Sequence, residues 1–431
     1  MKKLLASVAV LAVVALAAPV LAADAPGYGV TVGGRIKADM GWQILPEESN
    51  RNNSDSSIAN FFATVNTNSY LRVLFTSADK TTGAHIELGF GTSINQDNNG
   101  SSTDNFANLR FGYGWWKVGS CKLLVGQFAG RLGDRYFPGS NLGHTKSYKT
   151  DLAGFGFIGG TRNPKIALQM DVNENFGFEV ALGQAGAETS TSVTDGGDPA
   201  TTLGSSNSYL PRLEVVFDFK FGNFMITPGA GISYMEWKYD ESSFPGTSDF
   251  DDDVISYLLW LPMQYKSGPL TIMLNGFYGQ NIDTDWTGEW GNINNWGSPN
   301  DFGEGARINY QFGGQPAALP YADANGKLED TSVWGVGLAV QFAFTDQLGV
   351  NIGGGVVNLS NDAWEGANDG NDDYTRWAAF IAMPYQVTSN FTIAPEIAYY
   401  NYGDKVGVVA TDDDDEAKDE WLLGVHFQFL F

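Results

Sequence analysis

Charged residues in this chain sit at intervals of two inside otherwise apolar segments, and that spacing defines the chemistry they can do. Arg35, Lys37 and Asp39 alternate with Ile36 and Met40, and Arg72 lies between Leu71 and Val73. Glu87 lies between Ile86 and Leu88, Arg110 between Leu109 and Phe111, and Arg376 next to Trp377. Alternation at period two puts one face of an extended strand in an apolar medium and the other in a polar one. Fixed rows of charge on one face attract, repel and orient ions. They do not by themselves break bonds.

Bond-breaking chemistry has little to work with. The chain contains three histidines, His85, His144 and His426, and none lies in a nucleophile or metal motif. The single Cys121 cannot form an intrachain disulfide. No cofactor-binding motif is present, so the reading is of a non-enzyme without cofactor. The formal charge of −24 argues against a nucleic-acid partner.

The elements that must carry these residues follow from the ends of the chain. Lys2 and Lys3, an apolar stretch from Leu4 to Ala17 and the small-residue site Val20-Leu21-Ala22 read as a secretory signal peptide over 1–22. Residues 23–431 then form one domain of net charge −26. The last residues, Trp421 to Phe431, place Trp421, Leu423, Val425, Phe427, Phe429 and Phe431 on one face. Glu420, Gly424, His426 and Gln428 take the other face. Beyond residue 23 no run of 18 apolar residues occurs, which excludes a helical membrane protein.

Segments of about ten alternating residues recur along the domain, the length a tilted strand needs to cross a bilayer. Short turns near 78–83, 119–120, 173–175, 221–223, 266–269, 345–347 and 388–390 alternate with longer polar loops. The pattern predicts an all-β, transmembrane antiparallel barrel of sixteen strands. They fall near 28–43, 58–76, 83–94, 106–118, 121–129, 163–172, 175–186, 208–220, 223–238, 253–266, 269–282, 331–344, 347–359, 373–387, 390–402 and 419–431. Ala306 to Phe312 has strand character inside the sixth loop and leaves eighteen strands as the alternative. Pro228, Pro262, Pro384 and Pro395 fall inside strands, where a closed sheet accommodates proline only at bulges or interruptions.

An arginine or lysine facing lipid at mid-bilayer costs about 2–4 kcal/mol, so the charged parity must point inward. Arg35, Lys37, Arg72, Glu87, Arg110 and Arg376 are therefore assigned to the inner wall. The same rule places Leu109, Phe111, Tyr113 and Trp115 outside, opposite Arg110. Trp42, Trp115, Trp237, Tyr265, Trp334, Tyr385, Tyr399 and Trp421 lie near strand ends and suggest two interfacial girdles. An interior lined with charge must be hydrated, and a hydrated barrel of this size encloses a pore.

At this level the chain resembles the general bacterial outer-membrane porins. The opening strand Gly29-Val30-Thr31-Val32-Gly33-Gly34-Arg35-Ile36 and the terminal Phe431 carry the resemblance, and the sixteen-strand plan extends it over the domain. It implies a homotrimer in the outer membrane of a Gram-negative bacterium, in contact with lipid and lipopolysaccharide. It implies assembly through a barrel-inserting machinery that reads Phe431. It also implies a third loop folded inward as a constriction. That loop, 130–162, carries Arg131, Asp134, Arg135, His144, Lys146, Lys149 and Asp151, and Arg35, Arg72 and Arg110 match the basic wall opposite it. The Pro-Glu-Phe-Gly-Gly motif of enteric third loops is absent; Arg135-Tyr136-Phe137-Pro138-Gly139 stands nearby.

The expected function is passive diffusion of small hydrophilic solutes and ions, with a weak preference for anions. Outer loops four to eight hold 26 acidic and four basic residues, which concentrates the acidity at the outer mouth. The third loop has five basic residues against two acidic ones, and charge at the narrowest point usually sets selectivity. The third-loop cations can alternatively serve as anchors to inward acids such as Glu87, Glu179 and Glu214. A substrate-selective sugar or anion channel is the competing function, prompted by Trp286, Trp290 and Trp296 and by Trp115 beside Trp116. The acidic runs 249–253 and 412–416 could bridge to lipopolysaccharide phosphates through divalent cations.

Overall fold

The structure is a computed structural model. It describes residues 28–45, 58–65, 69–90, 108–132, 152, 155–158, 162–183, 185, 192–193, 201–202, 205–207, 210–239, 250–282, 286, 321–322, 328–362, 373–401 and 419–431. The signal peptide, Ala306 to Phe312 and the run 412–416 lie outside these residues.

Sixteen antiparallel strands close on themselves. They are β1 (Tyr28–Leu45), β2 (Ile58–Val65, continued by Ser69–Ser77), β3 (Thr82–Phe90), β4 (Asn108–Val118) and β5 (Cys121–Ala129). Next come β6 (Arg162–Asn173), β7 (Phe176–Gly183), β8 (Arg212–Phe221), β9 (Phe224–Ile226 and Gly229–Tyr239) and β10 (Phe250–Trp260 and Met263–Ser267). The rest are β11 (Leu270–Gln280), β12 (Ser332–Ala343), β13 (Gly349–Ser360), β14 (Asp373–Ala382 and Tyr385–Thr388), β15 (Phe391–Asn401) and β16 (Asp419–Leu430). Each pairs with its neighbour in sequence, and β16 returns to β1 in a register running from Arg35 opposite Leu430 to Ile44 opposite Trp421. Closure satisfies every edge, which a strand inside a bilayer requires because lipid offers no hydrogen bonds.

The prolines explain the breaks. Pro228, Pro262 and Pro384 occupy two-residue interruptions in β9, β10 and β14. A proline has no N–H to give, but its carbonyl still accepts. Phe217 N donates to Pro228 O at 2.9 Å, Thr227 N to Pro262 O at 3.0 Å and Gly349 N to Pro384 O at 3.1 Å. Pro395 stays inside β15 and accepts from Met383 N at 2.9 Å. The ladder therefore crosses each proline with only the missing donor lost. The gap between the two parts of β2 is handled by a side chain: Ser69 Oγ accepts from Lys37 N at 2.9 Å and donates to Lys37 O at 3.2 Å.

The short connections share one end of the barrel. Gly222 and Gly268 turn there with φ of 60° and 56°, a region closed to most side chains. The outer face is the apolar one. Val32, Ile36, Met40, Ile232, Leu259, Val336, Leu338, Ile352 and Ile381 are all exposed. Aromatic residues form a band at each end. Phe176–Phe219 and Phe391–Phe429 stack at the short-turn end, with ring centroids 5.1 and 4.3 Å apart. Trp42–Phe61, Trp377–Tyr399 and Tyr399–Trp421 pack near the other end. Trp334, Tyr265 and Tyr385 are exposed at strand ends as the girdle pattern requires. An apolar belt between two aromatic bands on a closed sheet is the surface of a bilayer-spanning barrel.

Candidate pore and its inner wall

The inward parity holds along most strands. Lys37, Asp39, Glu87, Arg110, Glu179, Arg212, Glu214, Asp218, Arg376, Glu396, Glu420 and His426 all point into the barrel, and all are buried there. Arg35 also faces inward, and Arg72, opposite the inward Gly33, is exposed. Arg35 Cζ lies 4.9 Å and Arg110 Cζ 5.8 Å from the Tyr70 ring centroid, so three strands bring these two arginines together. Arg110 Nε also donates to Glu87 Oε1 at 2.8 Å. Arg162 and Arg72 stand close enough to Arg35 for their charges to act on it.

One strand departs from simple alternation, and the expected sidedness of its aromatics is wrong. Between Glu87 and Leu88 the β3–β4 register shifts, with Glu87 opposite Phe111 and Leu88 opposite Leu109. Arg110 is the extra residue of this bulge. A bulge places consecutive side chains on one face, so Arg110 and Phe111 both point inward. Every later residue of β4 is reversed. Tyr113 pairs with the inward His85 and Trp115 with Gly83. Trp116 and Val118 are the exposed residues instead. Phe111, Tyr113 and Trp115 pack on a buried inner cluster of Leu124, Phe128, Ala167 and Ala181. Trp115 is therefore a lumen residue and not part of a girdle. Period-two reading could not find it, because the insertion is a property of the pair of strands.

The third long loop, between β5 and β6, enters the barrel. Its first residues follow the inner wall of β7–β9. Arg131 N donates to Glu179 Oε1 at 2.6 Å, and Arg131 Nη1 donates to Asp218 Oδ2 at 2.5 Å. Leu132 packs against Gly229, where a Cβ would stand 2.7 Å from Leu132 Cδ1. Near these acids a third, Glu214, pairs with two further cations: Lys165 Nζ is 3.3 Å from Glu214 Oε2, and Arg212 Nη2 is 2.9 Å from Glu214 Oε1. Farther along, Leu152, Phe155 and Phe157 are buried in a cluster with residues of β14–β16 and Phe62 of β2, and Ile158 is buried in the cluster that also holds Leu132. Small inward residues make the seat. A Cβ at Gly337 would meet the Phe157 ring at 2.1 Å, and one at Gly355 would meet the Phe155 carbonyl oxygen at 2.0 Å. Arg376 Cζ lies 5.6 Å from the Phe155 ring, so this arginine sits beneath the loop.

The loop thus touches β7–β9 at its start, and near its end it joins a buried cluster that includes residues of β12–β16 and Phe62 of β2. Asp134, Arg135, His144, Lys146, Lys149 and Asp151 lie outside the described residues. Of the third-loop cations, Arg131 takes the anchoring role. Trp286 packs on Gly231 and beneath Arg212, at a centroid distance of 5.8 Å, while Trp290 and Trp296 lie outside the described residues. His426 hydrogen-bonds Asp39 through Nδ1 across the β1–β16 seam, and His85 stacks on Phe111. Among the described residues no group of three or more potential ligands could hold a metal ion.

A closed sixteen-stranded barrel with an apolar belt, short turns at one end and an inward third loop is the porin architecture of the Gram-negative outer membrane. Known structures agree with that class. No family model matches the chain, and no curated protein matches it. The outer-membrane channel DcaP of Acinetobacter baumannii is similar over 94% of this chain and 98% of its own, at 16% identity and a TM-score of 0.62. The anion-selective porin from Comamonas acidovorans is similar over 93% of this chain and 100% of its own, at 9% identity and a TM-score of 0.54. The trimer form of OmpT from Vibrio cholerae is similar over 94% of this chain and 100% of its own, at 12% identity and a TM-score of 0.50. Identities this low establish a shared fold.

Proposed function

We propose that the protein is a water-filled channel for passive diffusion of small hydrophilic solutes and ions, with a weak preference for anions. The carrying observation is the row of basic residues that β1–β4 turn inward, with Arg35 and Arg110 converging on the Tyr70 ring. Arg35, Lys37, Arg72 and Arg110 there face Asp39 and Glu87. At a narrow point of reduced dielectric, net positive charge favours anions more than the same charge would in bulk water. The acidic outer loops oppose this by gathering cations at the mouth, an effect that salt screens within about 10 Å at 0.1 M. The same reading makes the protein a homotrimer embedded among outer-membrane lipid and lipopolysaccharide, inserted by an assembly machinery that recognises Phe431. The trimeric relative supports the oligomeric state.

Planar-bilayer recording in a KCl gradient tests this. The expected result is conductance in steps of three with an anion-leaning reversal potential. Replacing Arg35, Arg72 and Arg110 with alanine together moves the reversal potential towards cations. A sealed barrel without conductance, or a reversal potential indifferent to the triple substitution, defeats the reading.

A further inference from the structure

The bulge at Arg110 puts three aromatic rings in a row on the lumen wall. Phe111, Tyr113 and Trp115 alternate along β4, with centroids 6.4 and 6.1 Å apart. Their spacing follows the two-residue repeat of a strand. His85 extends the row sideways, nearly parallel to Phe111 at 5.3 Å. Trp115 lies flat over Gly83, where a Cβ would stand 2.0 Å from its ring. Only a glycine lets the indole settle against the wall there. The three rings are partly exposed.

Cations accompany the row along its length. Arg110 precedes Phe111 in the bulge, Arg162 Cζ is 5.7 Å from the Phe111 centroid, and Lys122 Nζ is 5.0 Å from the Trp115 centroid. The row begins beside the Arg35–Tyr70–Arg110 group and runs towards the short-turn end of the barrel. The rings rest on one side against the buried Leu124, Phe128, Ala167 and Ala181 and leave part of their surface to the lumen. Keeping them inside requires the bulge.

We propose that this row is a binding track for organic anions that carry a flat ring. The ring of the solute stacks on Phe111, Tyr113 and Trp115 in succession, and its anionic group passes between Arg110, Arg162 and Lys122. Aromatic faces attract flat rings and the adjacent cations add charge complementarity. Successive sites of moderate strength let a solute enter and also leave. The proposal rests on the channel reading and narrows it to a substrate class.

The probe is benzoate, compared with acetate (charge without a ring) and glucose (a ring without charge). Two measurements apply to the purified full-length protein: current interruption in planar bilayers, and saturation-transfer NMR of benzoate ring protons with protein in detergent. Benzoate is expected to interrupt the KCl current at concentrations where acetate and glucose do not. Trp115→Leu and Tyr113→Leu are expected to raise its half-blocking concentration about fivefold or more, the order one aromatic stack contributes. Both variants should weaken the NMR signal in parallel. Equal interruption by acetate or glucose overturns the proposal, as does an NMR signal unchanged in both variants. Conductance without ring preference defeats the track and spares the channel. Absence of all conductance defeats the channel, and the NMR comparison still decides whether the rings bind.

Discussion

Phe157→Ala should release the third loop from the far wall. The Phe157 side chain is 1% exposed and its ring fills the space above Gly337 that a Cβ would occupy. Truncating a phenylalanine in such a packed site costs about 3–5 kcal/mol. Leu152, Phe155 and Ile158 remain to hold the segment, each contributing roughly 1.5–3 kcal/mol through burial before the cost of ordering the chain is subtracted. A loss of about 3 kcal/mol lowers the docked-to-undocked ratio roughly a hundredfold. That is enough to populate undocked loops if the net docking energy is only a few kcal/mol. Gly337→Ala attacks the same contact from the wall, because its methyl group must displace the ring. Both variants keep the barrel ladder intact, so heat-modifiable migration on gels should match the parent. Open-channel current noise should rise in both, and trypsin should cut more readily at the loop's Arg135, Lys146 and Lys149. Parental noise and cleavage in both variants would refute the docking argument.

Three further outcomes follow from particular contacts. Arg131→Gln leaves Glu179 and Asp218 without their cation, and it should loosen the start of the third loop and move selectivity towards cations. The reversal potential reads this, and the shift should exceed that of Lys80→Gln in an exposed turn. His426→Leu leaves Asp39 buried at the closing seam without its imidazole partner, a loss of about 1–3 kcal/mol. It should lower the temperature at which the barrel unfolds on gels. In the β2–β3 turn, hydrogen bonds from Ser77 and Thr81 hold the Asp79 carboxyl below its usual range. A lowered folded pKa contributes stability above the ordinary carboxylate pKa and loses it as pH falls through the folded value. Asp79→Ala should therefore lower the urea midpoint at neutral pH, and the difference should vanish in strong acid.

Strand number, sidedness and the membrane setting were legible in the sequence because they depend on local rules. Alternation at period two separates lipid from water wherever the strands pair regularly, as Leu213, Val215 and Phe217 against Arg212, Glu214 and Asp218 show. Short turns mark one end, and each proline break is written in the chain. The inward arginines followed from the cost of charge in lipid. Three things needed the tertiary structure. The bulge at Arg110 exists only as a mismatch between β3 and β4, so the inward turn of Phe111, Tyr113 and Trp115 was hidden from any reading of β4 alone. The seat for the third loop is built from Gly337, Gly355 and neighbours on strands that are far from the loop in sequence. The anchoring of Arg131 depends on Glu179 and Asp218, which converge only when β7 pairs with β8. Sequence periodicity determines which face a side chain takes relative to its neighbours on one strand. Register between strands, and what crosses the space they enclose, is decided by pairing and packing at a distance.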